Sequence, residues 1–336
     1  MLISQINNRS HHIRCSPPTI AGVFVALLAL TGTTAVAQTY PNRPIKVIVP
    51  YSSGTGMDMI ARIVGPKLAQ RLGQPVVVEN RVGASGNIGG GAVATSAPDG
   101  YTLMVNSQAM LIAARLYRSM PFDVLADFAP ISLAAWGTQM LVTHAKSGIR
   151  NISELVAMAK ANPGKLTYST AGAGSSFHIT TETFNGVTGI QMLHVPYKTN
   201  AAALTDLIAG RVTVTVSAVH IVLPHIKAGT IVPLAVISPR RHVKVPDVPT
   251  MAEAGVAGVD DEFWHALYAP KGTPEAIIAR VGTELHAILA LPDVNEAFGN
   301  VGLTPTASTP EELQALMRRD LARLEQVIRQ HNITLD

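Results

Sequence analysis

The stretch Ile45-Lys46-Val47-Ile48-Val49-Pro50-Tyr51-Ser52-Ser53-Gly54-Thr55-Gly56-Met57-Asp58 decides how this chain is read. Its β-branched opening reads as a buried strand, and a Ser/Gly loop then leads directly into a helical pattern. In an open α/β sheet, the loop at the carboxyl end of a strand is where ligands sit. Glycines let the backbone approach closely, and the N–H groups of the first helical turn face whatever is held there. Those N–H groups and the helix dipole together favour an anion. A βα turn that merely needs glycine would use the same residues, so the motif alone leaves both readings open.

Strand-like and helix-like segments alternate outward from this point. Asp58 to Leu72 places Met59, Ile60, Ile63, Val64 and Leu68 on one face, with Pro66 expected to kink the helix and Gly73 to stop it. Val76 to Val78 reads as a second strand, followed by the glycine-rich loop Arg81 to Asn87; Tyr101 to Val105 reads as a third. In the middle, Asn151 with Glu154 forms a capping box, and Leu166–Ser169, Met192–Val195, Val212–Val216 and Leu234–Ile237 read as strands. A second flexible mouth, Ala171 to Ser176, precedes another helix. Near the end, Thr273 is expected to cap a helix whose first residue is Pro274, and Thr309-Pro310-Glu311-Glu312 repeats that signal with a capping box. The last helix carries Leu313, Leu316, Met317, Leu321, Leu324 and Ile328 on one stripe. Such alternation predicts an α/β fold of mainly parallel sheets covered by helices.

The chain has 336 residues, 26 Lys and Arg against 22 Asp and Glu, and a formal charge of +4. Arg9 and Arg14, the apolar run Ile20 to Leu30 and Ala35-Val36-Ala37 together read as a secretory leader cleaved after Ala37. The apolar run is short of the ~20 residues that cross a bilayer. The single cysteine, Cys15, would leave with the leader, so the mature chain is expected to hold no disulfide and no thiolate metal site. A small, dispersed positive charge gives no support to nucleic-acid binding.

Rival chemistries leave partial marks. Gly54-Thr55-Gly56 follows a strand, and Glu79 ends the next one where a ribose-binding acid could stand, but Met59 occupies the place of the third small residue of a dinucleotide site. Gly174-Ser175-Ser176 lacks the closing glycine of a nucleophile elbow, and no His-Glu-x-x-His occurs. His220 and His225 are poorly spaced for one metal, and His178 and His265 stand alone in sequence, so no catalytic residue, metal or cofactor is assigned. Two polar, glycine-rich loops remain, one in each half of the chain. Backbone N–H groups, Ser and Thr hydroxyls and helix N-termini in such loops can hold a carboxylate without a charged partner.

Ile45 to Arg62, Val77 to Gly89, Ala97 to Leu103, Tyr168 to His178, His194 to Lys198, Pro224 to Gly229, Pro246 to Thr250 and Ala269 to Pro274 together resemble the Bug solute-binding proteins of tripartite tricarboxylate transporters. The resemblance implies a two-lobed periplasmic binding protein of the type II kind, with residues 38–140 and 263–336 in one lobe and 141–262 in the other. It implies a small organic carboxylate as ligand, membrane permease subunits as partners, and action as a monomer. By the same resemblance the first lobe contributes Ser53, Gly54, Thr55, Gly56, Met57 and Asp58, and Ala84, Ser85, Gly86 and Asn87. The second contributes Gly174, Ser175, Ser176, Thr199 and Ser217. Thr55 stands where the family usually has glycine, Met57 where it has a small residue, and Ser217 and His220 where it has Asp and Pro. These departures point to a ligand whose distal part is less cationic and more apolar than an amino acid. An exported α/β enzyme and a sensor that docks on a membrane receptor are the alternatives.

Overall fold

The computed structural model describes residues 40–170, 172–259, 262–330 and 333–334. The expected leader and its cleavage point after Ala37 lie outside the described residues, as does Ala171. β1 (Ile45–Val49) exposes only Lys46, because helices cover both faces of its sheet. The helix α1 (Gly56–Leu72) runs unbroken through Pro66, whose ring faces solvent, and Gly73 ends it at φ 72°. β2 (Val76–Asn80), a short 3-10 turn at Ala84–Gly86, α2 (Asn87–Ala94), β3 (Thr102–Ser107), α3 (Ala109–Leu116) and β4 (Phe128–Gly137) follow.

The chain then enters a second sheet at β5 (Gln139–His144) and continues through α4 (Ile152–Ala161), β6 (Thr167–Thr170), α5 (Ser176–Thr188), β7 (Leu193–Pro196), α6 (Asn200–Ile208), β8 (Val214–Ala218), α7 (Val219–Lys227) and β9 (Ile231–Ile237). β10 (Phe263–Pro270) returns to the first sheet, followed by α8 (Glu275–Leu289), α9 (Pro292–Asn300), β11 (Leu303–Pro305) and α10 (Pro310–Gln330). Both expected N-caps form, and the return bond of the box runs from Thr309 N to Glu312, whereas Glu154 accepts from Arg150 N. Asn151 Oδ1 accepts from Glu154 N at 2.9 Å, and Thr309 Oγ1 accepts from Glu312 N at 3.1 Å. At α8 the expected cap shifts by one residue. Pro274 holds the N-cap position, because the Thr273 hydroxyl instead donates to the Pro270 carbonyl at 2.7 Å and closes the turn after β10.

The six-stranded sheet has the order β11-β4-β10-β3-β1-β2, and the five-stranded sheet the order β7-β6-β8-β5-β9. The α/β class and the two lobes hold, but the expectation of mainly parallel sheets is corrected. β10 lies antiparallel between β3 and β4, and β5 lies antiparallel between β8 and β9. These are the two strands on which the chain arrives from the other sheet. Apart from β11, which lies antiparallel to β4, strands that follow a helix run toward the junction of the lobes, whereas a strand that starts at the junction must run away from it. Apolar side chains fill both faces of each sheet, and Ile179 of α5 reaches across to pack with α3 and α10 on the first.

Candidate functional site

The parallel register of β1 and β2 sets Asn80 beside Val49, at the strand end from which the first loop departs. From there Asn80 Nδ2 donates to the Tyr51 carbonyl at 3.0 Å and to Asp58 Oδ1 at 2.9 Å. Asp58 is 2 % exposed, and its carboxylate also accepts from Gly54 N at 2.9 Å, Ser53 Oγ at 3.1 Å and Arg62 Nε at 3.0 Å. Burial alone would raise this carboxyl, but the donors from Arg62, Gly54, Asn80 and Ser53 outweigh it and hold the group down at about 2. Asp58 therefore anchors the loop from within, and Ser53 and Gly54 point their donors at it. Met57 is buried in the first lobe's core, so its side chain packs inward. Thr55 Oγ1 donates back to the Ser52 carbonyl at 2.9 Å, and no side chain caps α1. The N–H groups of Gly56, Met57 and Asp58 are left at an open helix N-terminus, the chemistry that receives an anion.

The second loop lies against the first through Tyr51. The Tyr51 hydroxyl donates to the Ser85 carbonyl at 2.9 Å, and Tyr117 donates to Ser85 Oγ at 3.0 Å. Gly83, Ala84, Ser85 and Gly86 all have positive φ, at 142°, 47°, 52° and 90°. A Cβ on Gly86 would come within 3.0 Å of the Tyr51 ring. Two non-glycine residues in left-handed conformation mark stored strain, which concentrates at ligand clamps. Asn87 is buried and opens α2. Arg81 and Glu79 pair with each other, and Lys46 reaches Glu79 at 3.0 Å, so Glu79 is engaged by cations and not poised for a ribose.

In the second lobe, Gly172 and Gly174 take φ of 112° and 71°, which turns the chain from β6 into α5. Ser175 caps α5 by accepting from His178 N at 3.3 Å, and Gly174 N donates to His178 Nδ1 at 3.0 Å. The rings of Tyr168, His194 and His178 stack at 4.9 and 4.0 Å, and His194 Nε2 lies 2.7 Å from Thr170 Oγ1. Burial, with His194 adding to it, lowers His178 to about 3 and keeps it neutral. Ser176 lines a narrow gap with Gln108, Ile112, Thr180 and Leu324, so it faces first-lobe residues. Thr199 is exposed and caps α6 through Ala202 N at 3.2 Å. Ser217 is buried in β8 opposite Met140.

The structure thus unites the two first-lobe loops and sets Ser176 against Gln108, Ile112 and Leu324 of the first lobe, while Ser175 and Thr199 cap their own helices. Sequence reasoning passed over Tyr51 and Asn80, although both stand at strand ends next to the loops they tie together. It also left His265 without a role. This residue is 2 % exposed at the start of β10, and a Cβ on Gly56 would lie 2.8 Å from its Nε2. Only the pairing of β10 with β3 and β4 brings it there. Among the described residues no group of three or more His, Cys, Asp or Glu could hold a metal, and no helix is long and apolar enough to cross a membrane.

Residues 60–333 match the model of the tripartite tricarboxylate transporter family receptor. The chain is 37 % identical to BugT of Bordetella pertussis over 313 residues, covering 93 % of this chain and 96 % of that one. Among solved structures, the R. palustris protein Rpa4515 with adipate superposes with a TM-score of 0.81 at 33 % identity, covering 88 % of this chain and 99 % of that one. The periplasmic binding protein BugD does so with 0.78 at 30 % identity, again covering 88 % and 99 %. With its two lobes, its uncapped helix N-terminus and its strained neighbouring loop in place, the chain belongs to the tripartite tricarboxylate transporter receptors, the periplasmic solute-binding proteins of the Bug type.

Proposed function

We propose that this receptor captures a small organic carboxylate between its lobes, with one carboxylate seated on the first turn of α1 and the loop Gly83–Asn87. The observation that carries this reading is the open N-terminus of α1, held in place by the buried Asp58 beside a loop of four positive φ values. Such a seat binds an anion through backbone donors and needs no cationic side chain. That a neighbour was solved with adipate, a dicarboxylate, agrees with it. The lobes are residues 38–140 with 263–336, and 141–262, hinged where β4 passes into β5 and where β10 begins. The chain acts as a monomer, catalyses no reaction, and hands its ligand to membrane permease subunits after losing residues 1–37.

Two measurements test this. The mature protein should begin at Gln38 and carry no lipid, as read by intact mass. A panel of carboxylates should raise the melting temperature, and mass spectrometry should recover the bound acid unchanged. Ligand at about 100 times its Kd stabilises by about 2.7 kcal/mol. Turnover of the acid would refute the receptor reading, as would a panel in which no carboxylate stabilises the protein.

A further inference from the structure

His265 is buried to 2 % exposure, and neither of its ring nitrogens has a hydrogen-bond partner. A neutral imidazole carries one donor and one acceptor, and leaving them unmatched in the interior is costly, so such a group calls for a partner. Its position narrows what that partner is. Nε2 packs against Gly56, the first residue of the uncapped α1. Phe263 stands edge-on to the ring at 5.2 Å, and Ser107 pairs with His265 across β3. A second imidazole, His220 in the first turn of α7, faces the first lobe: a Cβ on Gly302 would lie 3.5 Å from its Nδ1, which is likewise buried without a partner, and its Coulombic effect reaches His265. His265 belongs to the first sheet and His220 to the second lobe.

We propose that His265 and His220 form a subsite at the floor of the cleft that reads a hydroxyl group on the bound carboxylate. The inference rests on the carboxylate-receptor reading above and adds the chemistry of the ligand's distal part. A hydroxyl both donates and accepts, which matches two neutral imidazoles that each offer one donor and one acceptor. A second carboxylate only accepts, and burying its charge beside Phe263 without a cation is costly. Burial, with His220 adding to it, lowers His265 to about 3, and the positive end of α1 disfavours an imidazolium in the same place. A site built to hydrogen-bond a hydroxyl discriminates strongly against the analogue that lacks it, because its own polar groups are then left unpaired.

The test uses the mature protein and acids paired by one hydroxyl: succinate with malate, malate with tartrate, propionate with lactate, and benzoate with its hydroxybenzoates. Calorimetric titration should show at least one pair in which the hydroxylated acid binds more than about tenfold tighter. That ratio should fall to within about twofold in His265→Phe, which removes both nitrogens, and His220→Ala gives the same readout if the first variant fails to fold. Binding of acids with no such preference in the wild type overturns the subsite while the receptor reading stands. Retention of the full ratio in a folded variant also overturns it. If no acid of the panel binds, the receptor reading fails and the subsite falls with it.

Discussion

Replacing Asp58 by Asn keeps the shape of the side chain but turns one acceptor oxygen into a donor. That donor would face Arg62 Nε or Asn80 Nδ2, both of which donate to the native carboxylate. The magnitude follows from the carboxyl's descent from 3.8 to about 2, which at 1.36 kcal/mol per pH unit is about 2.5 kcal/mol. Because Arg62 is half exposed and its charge is screened, this is an upper figure. The group is depressed in the folded state, so its contribution is complete above pH 3.8 and is lost as the pH falls toward 2. About 1 kcal/mol of it is gone by pH 3. Urea unfolding of wild type and Asp58→Asn should therefore show a gap of about 2 kcal/mol at pH 7 that narrows by roughly half at pH 3. Ligand affinity should fall in parallel, because Gly54 N and Ser53 Oγ lose the anchor that sets the loop. A gap below about 0.5 kcal/mol at pH 7, or one unchanged at pH 3, would refute the argument that this carboxylate holds the first loop.

The glycines of the same loop make contrasting tests. Gly56→Ala should cost about 1–3 kcal/mol by chemical denaturation, since its Cβ would meet His265 Nε2 at 2.8 Å. Gly54→Ala meets nothing within 4 Å and should lose only the about 1–2 kcal/mol of its left-handed conformation at φ 83°. Ser175→Ala and Asn151→Ala each remove a helix cap and should each cost about 1 kcal/mol, but in titrations only Ser175→Ala should weaken ligand binding, because α4 begins far from the cleft. Arg81→Ala breaks a half-exposed pair with Glu79 and should leave ligand affinity within about twofold; abolition of binding would move capture from backbone donors to a cation.

Local signals in the sequence hold at most elements that carry their own punctuation, the cap that moves from Thr273 to Pro274 being an exception. Ile45–Val49 is a strand, α1 ends at Gly73, and the caps at Asn151 and Thr309 form, because each depends on residues within four positions of one another. Gln139–His144 and Phe263–Pro270 carry no such punctuation: both are buried along nearly their whole length and show no alternation. Their direction, and with it the mixed character of both sheets, is set by where the chain crosses between lobes.

The same division runs through the candidate site. Sequence alone determined that a glycine-rich mouth follows β1, that a second follows β2, and that a third opens α5, since glycine at such turns answers a local backbone demand. Tertiary structure decided what those residues do. It set Asn80 against Tyr51 and Asp58, bound Ser85 to Tyr51 and Tyr117, and set His265 under Gly56. The partners of Ser85 are 34 and 32 residues away in the chain, and Gly56 meets a strand that begins at Phe263. Hydrogen bonds and packing act over a few ångströms in space, and only the assembled sheet brings such distant positions within that reach.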